Sequence, residues 1–324
     1  MKSLKELLLE ELGNTNVDQI TVEEYINTNY DIYGKLTFEY INGVCIVNCN
    51  GNVEVKNQKI AKLTDGFVWG EVKGDFRCNS CKNLKTLEGA PKEVGGEFNC
   101  MHCFGLESLE GAPKEVGVNF DFYCCTKLKS LVGAPERVGG DFNCDYCDGL
   151  ESLEGAPKYV GGSFNCFGCH KLESLEGAPK EVRGNFNCEY CKNLKTLEGA
   201  PETVGADFNC SSCDNLITLE GAPKGMVRLF NCSKCKNLIS LKGAPKKVSG
   251  FFHCQCCESL KTLEGAPEHV GAIFDCSECE NLESLEGAPK YVGRSFICNS
   301  CDKLKSLEGA PQNPYKIKCD TLLK

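Results

Sequence analysis

The chain has 324 residues, 41% hydrophobic and 25% charged, a composition that excludes disorder and matches folded soluble proteins. No apolar run approaches the roughly 18 residues a bilayer-spanning helix needs, so no membrane association is expected. The formal charge of −9 argues against nucleic acid as a partner, because that affinity comes from Lys and Arg neutralising phosphates.

From the N-terminus, residues 1–33 read as a helical cap, with helices predicted over residues 4–12 and 21–26. Asp18 or Thr21 is the expected N-cap of the second, with Glu23 and Glu24 in its first turn. Glu6, Glu10 and Glu11 stand where a secretion signal needs an uninterrupted apolar stretch, so the expected location is cytoplasmic, with reduced thiols. Residues 34–73 read as a strand-rich transition: strands over 36–47 and 53–55 joined at Asn50-Gly51, then a degenerate coil at 67–72 in which Trp69 packs over the first repeat. Residues 74–311 are eleven 22-residue repeats without insertion or deletion, beginning at Gly74, Gly96, Val118, Gly140, Gly162, Gly184, Ala206, Arg228, Gly250, Ala272 and Arg294. Residues 312–324 leave the pattern and are expected to form a C-terminal cap or tail.

Within the repeat, Phe76 and Cys78 alternate with polar Asp75, Arg77 and Asn79, the period of a strand with one buried face. Gly89-Ala90-Pro91 cannot lie in a helix, because proline lacks the amide proton and clashes with the preceding turn. One 22-residue coil is too small to close a core, so the coils must stack, Phe on Phe, Leu on Leu and Val94 on Val116. The predicted class is mainly β, a parallel β solenoid with a small α+β N-terminal cap.

The run Phe98-Asn99-Cys100-Met101-His102-Cys103-Phe104-Gly105-Leu106 resembles the leucine-rich repeats, and its closest likeness is to short 22-residue repeats of bacteria and their phages. The resemblance covers about residues 74–311 and implies a protein-interaction solenoid whose second cysteine binds backbone in the turn. Phe and Cys stand at strand positions where the family usually has Leu, and Val94 precedes Phe98 by four residues where three is usual. A curved horseshoe and a straighter solenoid both remain compatible with it.

The cysteine columns are where chemistry would lie. Cys78/Cys81, Cys100/Cys103, Cys144/Cys147 and Cys166/Cys169 open a series of ten Cys-x-x-Cys pairs. Because the pair is locked to the structural repeat, core packing is the expected role, free cysteine behaving as a small apolar residue. Zinc or an iron–sulfur cluster held by four thiols of adjacent coils is the alternative, as are disulfide rungs between coils. The third coil favours packing, since Phe122 replaces the first cysteine. No cofactor is expected, nor a resident metal.

The column after the second leucine is mainly Glu and the column four residues on mainly Lys, a pairing expected across the turn. The outward strand position carries Asn99, Asn143, Asn165, Asn187 and Asn209, read as a ladder of amides bonding one another. With Tyr146, Phe167 and Tyr190 beside them, these residues are the expected binding face, since exposed aromatics on a rigid sheet commonly anchor interfaces. No phosphate-binding glycine loop, nucleophile elbow or His-Glu-x-x-His is present. The expectation is a non-enzymatic scaffold whose partner is another protein, with a metal-binding or redox cysteine ladder and a structural component of a phage or cellular assembly as alternatives.

Overall fold

The computed structural model describes residues 19–312 and 316–320, so the helix expected over residues 4–12 lies outside the described residues. Contacts divide the chain into two compact units, residues 1–149 with 155–160 and residues 150–154 with 161–324. Each is a parallel β-solenoid of 22-residue turns, as the repeat predicts, with about 12 turns in all.

The first unit opens with the helix Gln19–Asn29. Val22 and Ile26, four residues apart and so on one face, are fully buried. Thr21 lies inside the helix and not at its N-cap, Asp18 lies outside the described residues, and the first turn from Gln19 holds no acidic residue, against the expectation for Glu23 and Glu24. Tyr25 and Tyr30 pack edge-on against Phe67 and Trp69 at 5.8 and 5.4 Å. Trp69 is also 6.2 Å from Phe76, which places it over the first repeat as expected.

The segment expected as one strand over 36–47 is instead two, Leu36–Ile41 and Val44–Cys49, paired antiparallel from Leu36↔Cys49 to Ile41↔Val44. Asn42 and Gly43 both take positive φ, 49° and 83°, the two-residue turn that an Asn-Gly pair favours. Asn52–Val55 then pairs antiparallel with Tyr30–Tyr33 and parallel with the first repeat, Val53 taking the Phe place beside Phe76. On the other face Val44–Cys49 lies parallel to Phe67–Val72, and that strand leads into Glu93-Val94.

Most repeats thus contribute two very short strands, which merge into one in Val227–Asn231 and Lys247–His253. In the first unit the Phe strands run in register from Phe76 to Phe98, Phe120 and Phe142, and the Val strands from Val94 to Val116, Val138 and Val160. In the second unit the Phe ladder runs from Phe164 through Phe186, Phe208, Phe230, Phe252 and Phe274 to Phe296. Successive rings there stack nearly parallel, 5.2–5.4 Å apart. Every Phe in this file is completely buried, so each contributes about 2–3 kcal/mol of apolar burial, part of it against the rings of neighbouring coils. The proline of Gly-Ala-Pro also faces inward: Pro91 and Pro201 are buried, a role beyond that of excluding a helix.

Two departures from strict repetition appear in the second unit. Where Lys224-Gly225-Met226-Val227 replaces the usual Lys-Glu-Val-Gly, the register shifts, Met226 turns outward at 65% exposure and Val227 takes the buried place. Residues 316–320 do not abandon the pattern. Lys316–Lys318 pairs parallel with Ser295–Ile297, setting Ile317 beside Phe296, so Cys319 continues the first-cysteine column with one residue fewer.

Candidate functional site

Two features of the repeat carry polar chemistry: the sulfurs inside the turn after the Phe strand, and the side chains that this turn presents outside.

Inside, the residue before the second cysteine takes the left-handed conformation in one coil after another, with φ between 53° and 63° at Ser80, His102, Cys124, Tyr146, Tyr190, Ser212, Lys234, Cys256, Glu278 and Ser300. Gly168 takes the same place at 68°. This geometry costs an L-residue about 1–2 kcal/mol; the left-handed residue's amide donates to the next coil, Ser80 N to Met101 O at 2.8 Å and His102 N to Tyr123 O at 2.9 Å, and a local bond recurs just before it. The strand-end Asn accepts a hydrogen bond from the amide two residues on: Met101 N to Asn99 Oδ1 at 3.2 Å, Asp145 N to Asn143 at 3.0 Å, Glu189 N to Asn187 and Ser211 N to Asn209 at 3.1 Å. The asparagine column is therefore not the ladder of mutually bonded amides expected from sequence. Each amide turns back on its own backbone, as short polar side chains do at turns. Replacing Lys234, which is exposed, by Gly removes the left-handed strain at the cost of a looser unfolded chain. A net gain of about 0.5–1 kcal/mol is expected, readable as a higher urea midpoint.

The turn aims both sulfurs inward. Among the repeats, every first and second cysteine of the Cys-x-x-Cys pairs is fully buried, and all 26 cysteines are free thiols. The second cysteine donates to the carbonyl of the first-cysteine place one coil earlier: Cys103 to Cys78 O at 3.1 Å, Cys191 to Cys166 O at 3.2 Å, Cys213 to Cys188 O at 3.3 Å and Cys279 to Cys254 O at 3.2 Å. In the second unit the first cysteine donates forward, Cys188 to Asn209 O and Cys232 to His253 O, both at 3.4 Å. The forward bonds are second bonds, since the Asn209 and His253 carbonyls already accept the Cys188 and Cys232 amides at 2.8 Å. The third coil shows why Phe122 is tolerated: Cys147 bonds the Phe122 carbonyl at 3.4 Å, a backbone group that any residue supplies.

Burial, which disfavours the thiolate, pushes Cys100, Cys210, Cys232 and Cys276 well above the ordinary thiol range. In the first two coils thiols bond backbone carbonyls, Cys81 to Asn79 O at 3.8 Å and Cys103 to Cys78 O. Among the described residues, no group of three or more Cys, His, Asp or Glu side chains is disposed to hold a metal ion, and the same holds for Cys144, Cys147, Cys166 and Cys169. Cys124, Cys256 and Cys319 alone among the cysteines are partly exposed. Native protein should therefore react with a thiol reagent at about three sites and with the remainder only in denaturant. Cys256, pushed up to about 11 by burial and then by Glu278, should react slowly at neutral pH, its rate rising about tenfold per pH unit toward that value.

Outside, the same turns gather aromatic rings. In the first unit His102 lies 5.8 Å from Phe104 and 5.3 Å from Tyr123, and Tyr123 lies 5.4 Å from Tyr146. In the second, Tyr190 stacks on Phe167 at 5.9 Å, meets His170 edge-on at 5.3 Å and receives the Lys192 ammonium 4.5 Å above its ring. Tyr146 and Tyr190 are exposed as expected, whereas Phe167 and the asparagines of the column are half-buried and Asn99 is buried. The expected binding face therefore narrows to rings, the asparagines serving the turn. Sequence reasoning passed over Phe104, 40% exposed, and His170 and Lys192, because they stand beyond the second cysteine; only the left-handed turn brings that position back beside the rings.

The charged columns pair differently from the expectation. Lys158 meets Glu136 and Lys290 meets Glu268, each at 3.1 Å within the lysine column, and Lys242 meets Glu264 at 3.3 Å within the glutamate column. These ion pairs run along a column from coil to coil because like positions lie one strand spacing apart. Most are well exposed and contribute little stability. One cleft of about 490 Å³ opens between the N-terminal hairpin and Phe67–Val72, lined among others by Lys35, Glu39, Asn48, Glu71 and Glu93. Asn48 Oδ1 there already accepts from the Glu71 amide at 2.7 Å.

Compared with known proteins, the chain matches no family model, no curated protein and no solved structure. No helix among the described residues is long and apolar enough to cross a membrane.

Proposed function

We propose that this chain is a non-catalytic protein-interaction scaffold of leucine-rich-repeat type, working in the reducing cytoplasm and binding another protein through the turns that follow its Phe strands. The observation that carries this reading is the outward aromatic set. Tyr146 and Tyr190 are 36% and 37% exposed and Phe104 40%, while the Phe file directly beneath is wholly buried. Large rings left in water on a backbone with little freedom bind at small entropic cost, the usual property of interface anchors. The net charge of −9 favours a protein over a nucleic acid as partner, and the buried free thiols fit a reducing compartment.

The test is cross-linking in native extract with the full chain and with Tyr146→Ala and Tyr190→Ala. Both positions are exposed, so the variants should keep the wild-type melting transition while recovery of the cross-linked partner drops. Unchanged recovery in both, or a catalytic turnover that survives them, would overturn the reading.

A further inference from the structure

The aromatic group of the first unit differs from that of the second in its electrostatic surroundings. Around His102, Phe104, Tyr123 and Tyr146, the strand and turn positions of the same three coils bring Glu97, Asp121, Asp145 and Asp148. Asp121 Oδ1 accepts from the Tyr123 amide at 2.9 Å and Glu97 Oε1 from Asn99 Nδ2 at 2.6 Å, so both carboxylates belong to the ring-bearing turns. Burial pushes the Asp121 carboxyl up, and the charge of Glu97 adds to the shift. Negative charge is therefore crowded beside the rings.

Elsewhere the molecule shows what such rings accept. The Arg137 guanidinium sits 4.4 Å from the centroid of Tyr159, and the Lys192 ammonium 4.5 Å from that of Tyr190. A cation over an aromatic face is held by the ring quadrupole, and a neighbouring carboxylate adds a direct charge partner. We propose that the His102, Phe104, Tyr123 and Tyr146 group is the docking site for an extended arginine- or lysine-bearing segment of a partner protein, its cations laid on the rings and paired with the flanking carboxylates. The proposal rests on the scaffold reading and names the chemistry of its partner. Successive coils offer rings at the strand spacing, which favours an extended segment over a helix.

The experiment titrates the full chain with a fluorescein-labelled hexa-arginine peptide, with hexa-glutamate and a neutral Ser-Gly hexamer as controls, following anisotropy at low and moderate salt. The variants are Phe104→Leu and Tyr123→Leu, which keep charge and apolar bulk but remove a ring, with Tyr291→Leu, an exposed ring on a Val strand of the second unit, as control. Binding of the arginine peptide, weakened fivefold or more by either first-unit variant and under twofold by Tyr291→Leu, is the expected result. Equal affinity for wild type and both first-unit variants would mean diffuse attraction to an acidic surface and would overturn the site. Preference for the neutral or acidic peptide, or for an oligosaccharide run alongside, would do the same. The two readings fail separately: absence of arginine-peptide binding together with a cross-linked partner that depends on Tyr190 sinks this site and leaves the scaffold standing.

Discussion

Gly199→Ala should lower the stability of the second unit by about 3–5 kcal/mol, the range of mutations that force backbone apart at a special conformation. Gly199 belongs to Gly-Ala-Pro and has φ +86°, a region that L-residues rarely adopt, and an added Cβ would lie 2.4 Å from Glu176 N and 2.5 Å from Glu176 Cα. Both atoms are backbone of the preceding coil and cannot rotate away, so the coils themselves would have to separate. The built-in control is Gly225→Ala, where φ is not in the positive range and the nearest atom to an added Cβ is 3.5 Å away. That variant should change stability by less than about 1 kcal/mol, and toward stabilisation if at all, because alanine restricts the unfolded chain. Urea unfolding of the pair measures the contrast. Similar midpoints would mean that the coils are not seated on one another as described.

The second large effect is a steep alkaline unfolding. Four of the buried thiols, Cys100, Cys210, Cys232 and Cys276, have folded-state pKa values raised by burial above the ordinary thiol value of about 8.5. The folded protein therefore holds protons that the unfolded chain releases above that value. Stability from these groups is fully present below about pH 8.5 and is lost as pH rises from there toward the folded values, at about 1.4 kcal/mol per pH unit for each thiol. Since the sulfurs are buried in coil after coil, their losses add, and the melting temperature should fall by tens of degrees between about pH 8.5 and 10.5. Thermal melts across that range, with a variant carrying Cys210→Ala and Cys232→Ala as comparison, test the sign and the source. The variant should lose less on going alkaline, having two fewer thiols to ionise, even where its stability at neutral pH is lower. A flat profile would show that the thiols do not set the alkaline limit.

Much of the candidate site was legible because it is repeated. Tyr146 and Tyr190 stand at a variable position between paired cysteines, which singled them out, but strand period would set them inward with Phe142 and Cys144 or Phe186 and Cys188; their own left-handed backbone turns them out. The packing role of the sulfurs was legible from their repetition, and Phe122 in a cysteine column signalled that the slot accepts an apolar group. The asparagine column misled. Its amides have the right spacing for a ladder, but Asn99, Asn143, Asn187 and Asn209 each accept from the amide two residues on, at the turn that ends the strand. The Asn-Gly at 42–43 carried a turn signal as strong as the one at 50–51, but the apolar run around it reads as one strand until the pairing of Leu36 with Cys49 is known.

The 22-residue period, by itself, determined that coils stack in register and which side chains fill the interior, because a short unit with one Phe, two Leu and a Val has no other way to leave water. Tertiary structure alone decided the destinations of the polar groups: sulfurs to carbonyls of adjacent coils, lysines to glutamates along a column, and rings to one another across coils. The reason is that apolar burial depends on residue type and spacing, which a sequence displays, whereas a hydrogen bond or ion pair depends on direction. Direction follows from a backbone angle that no residue in these turns announces.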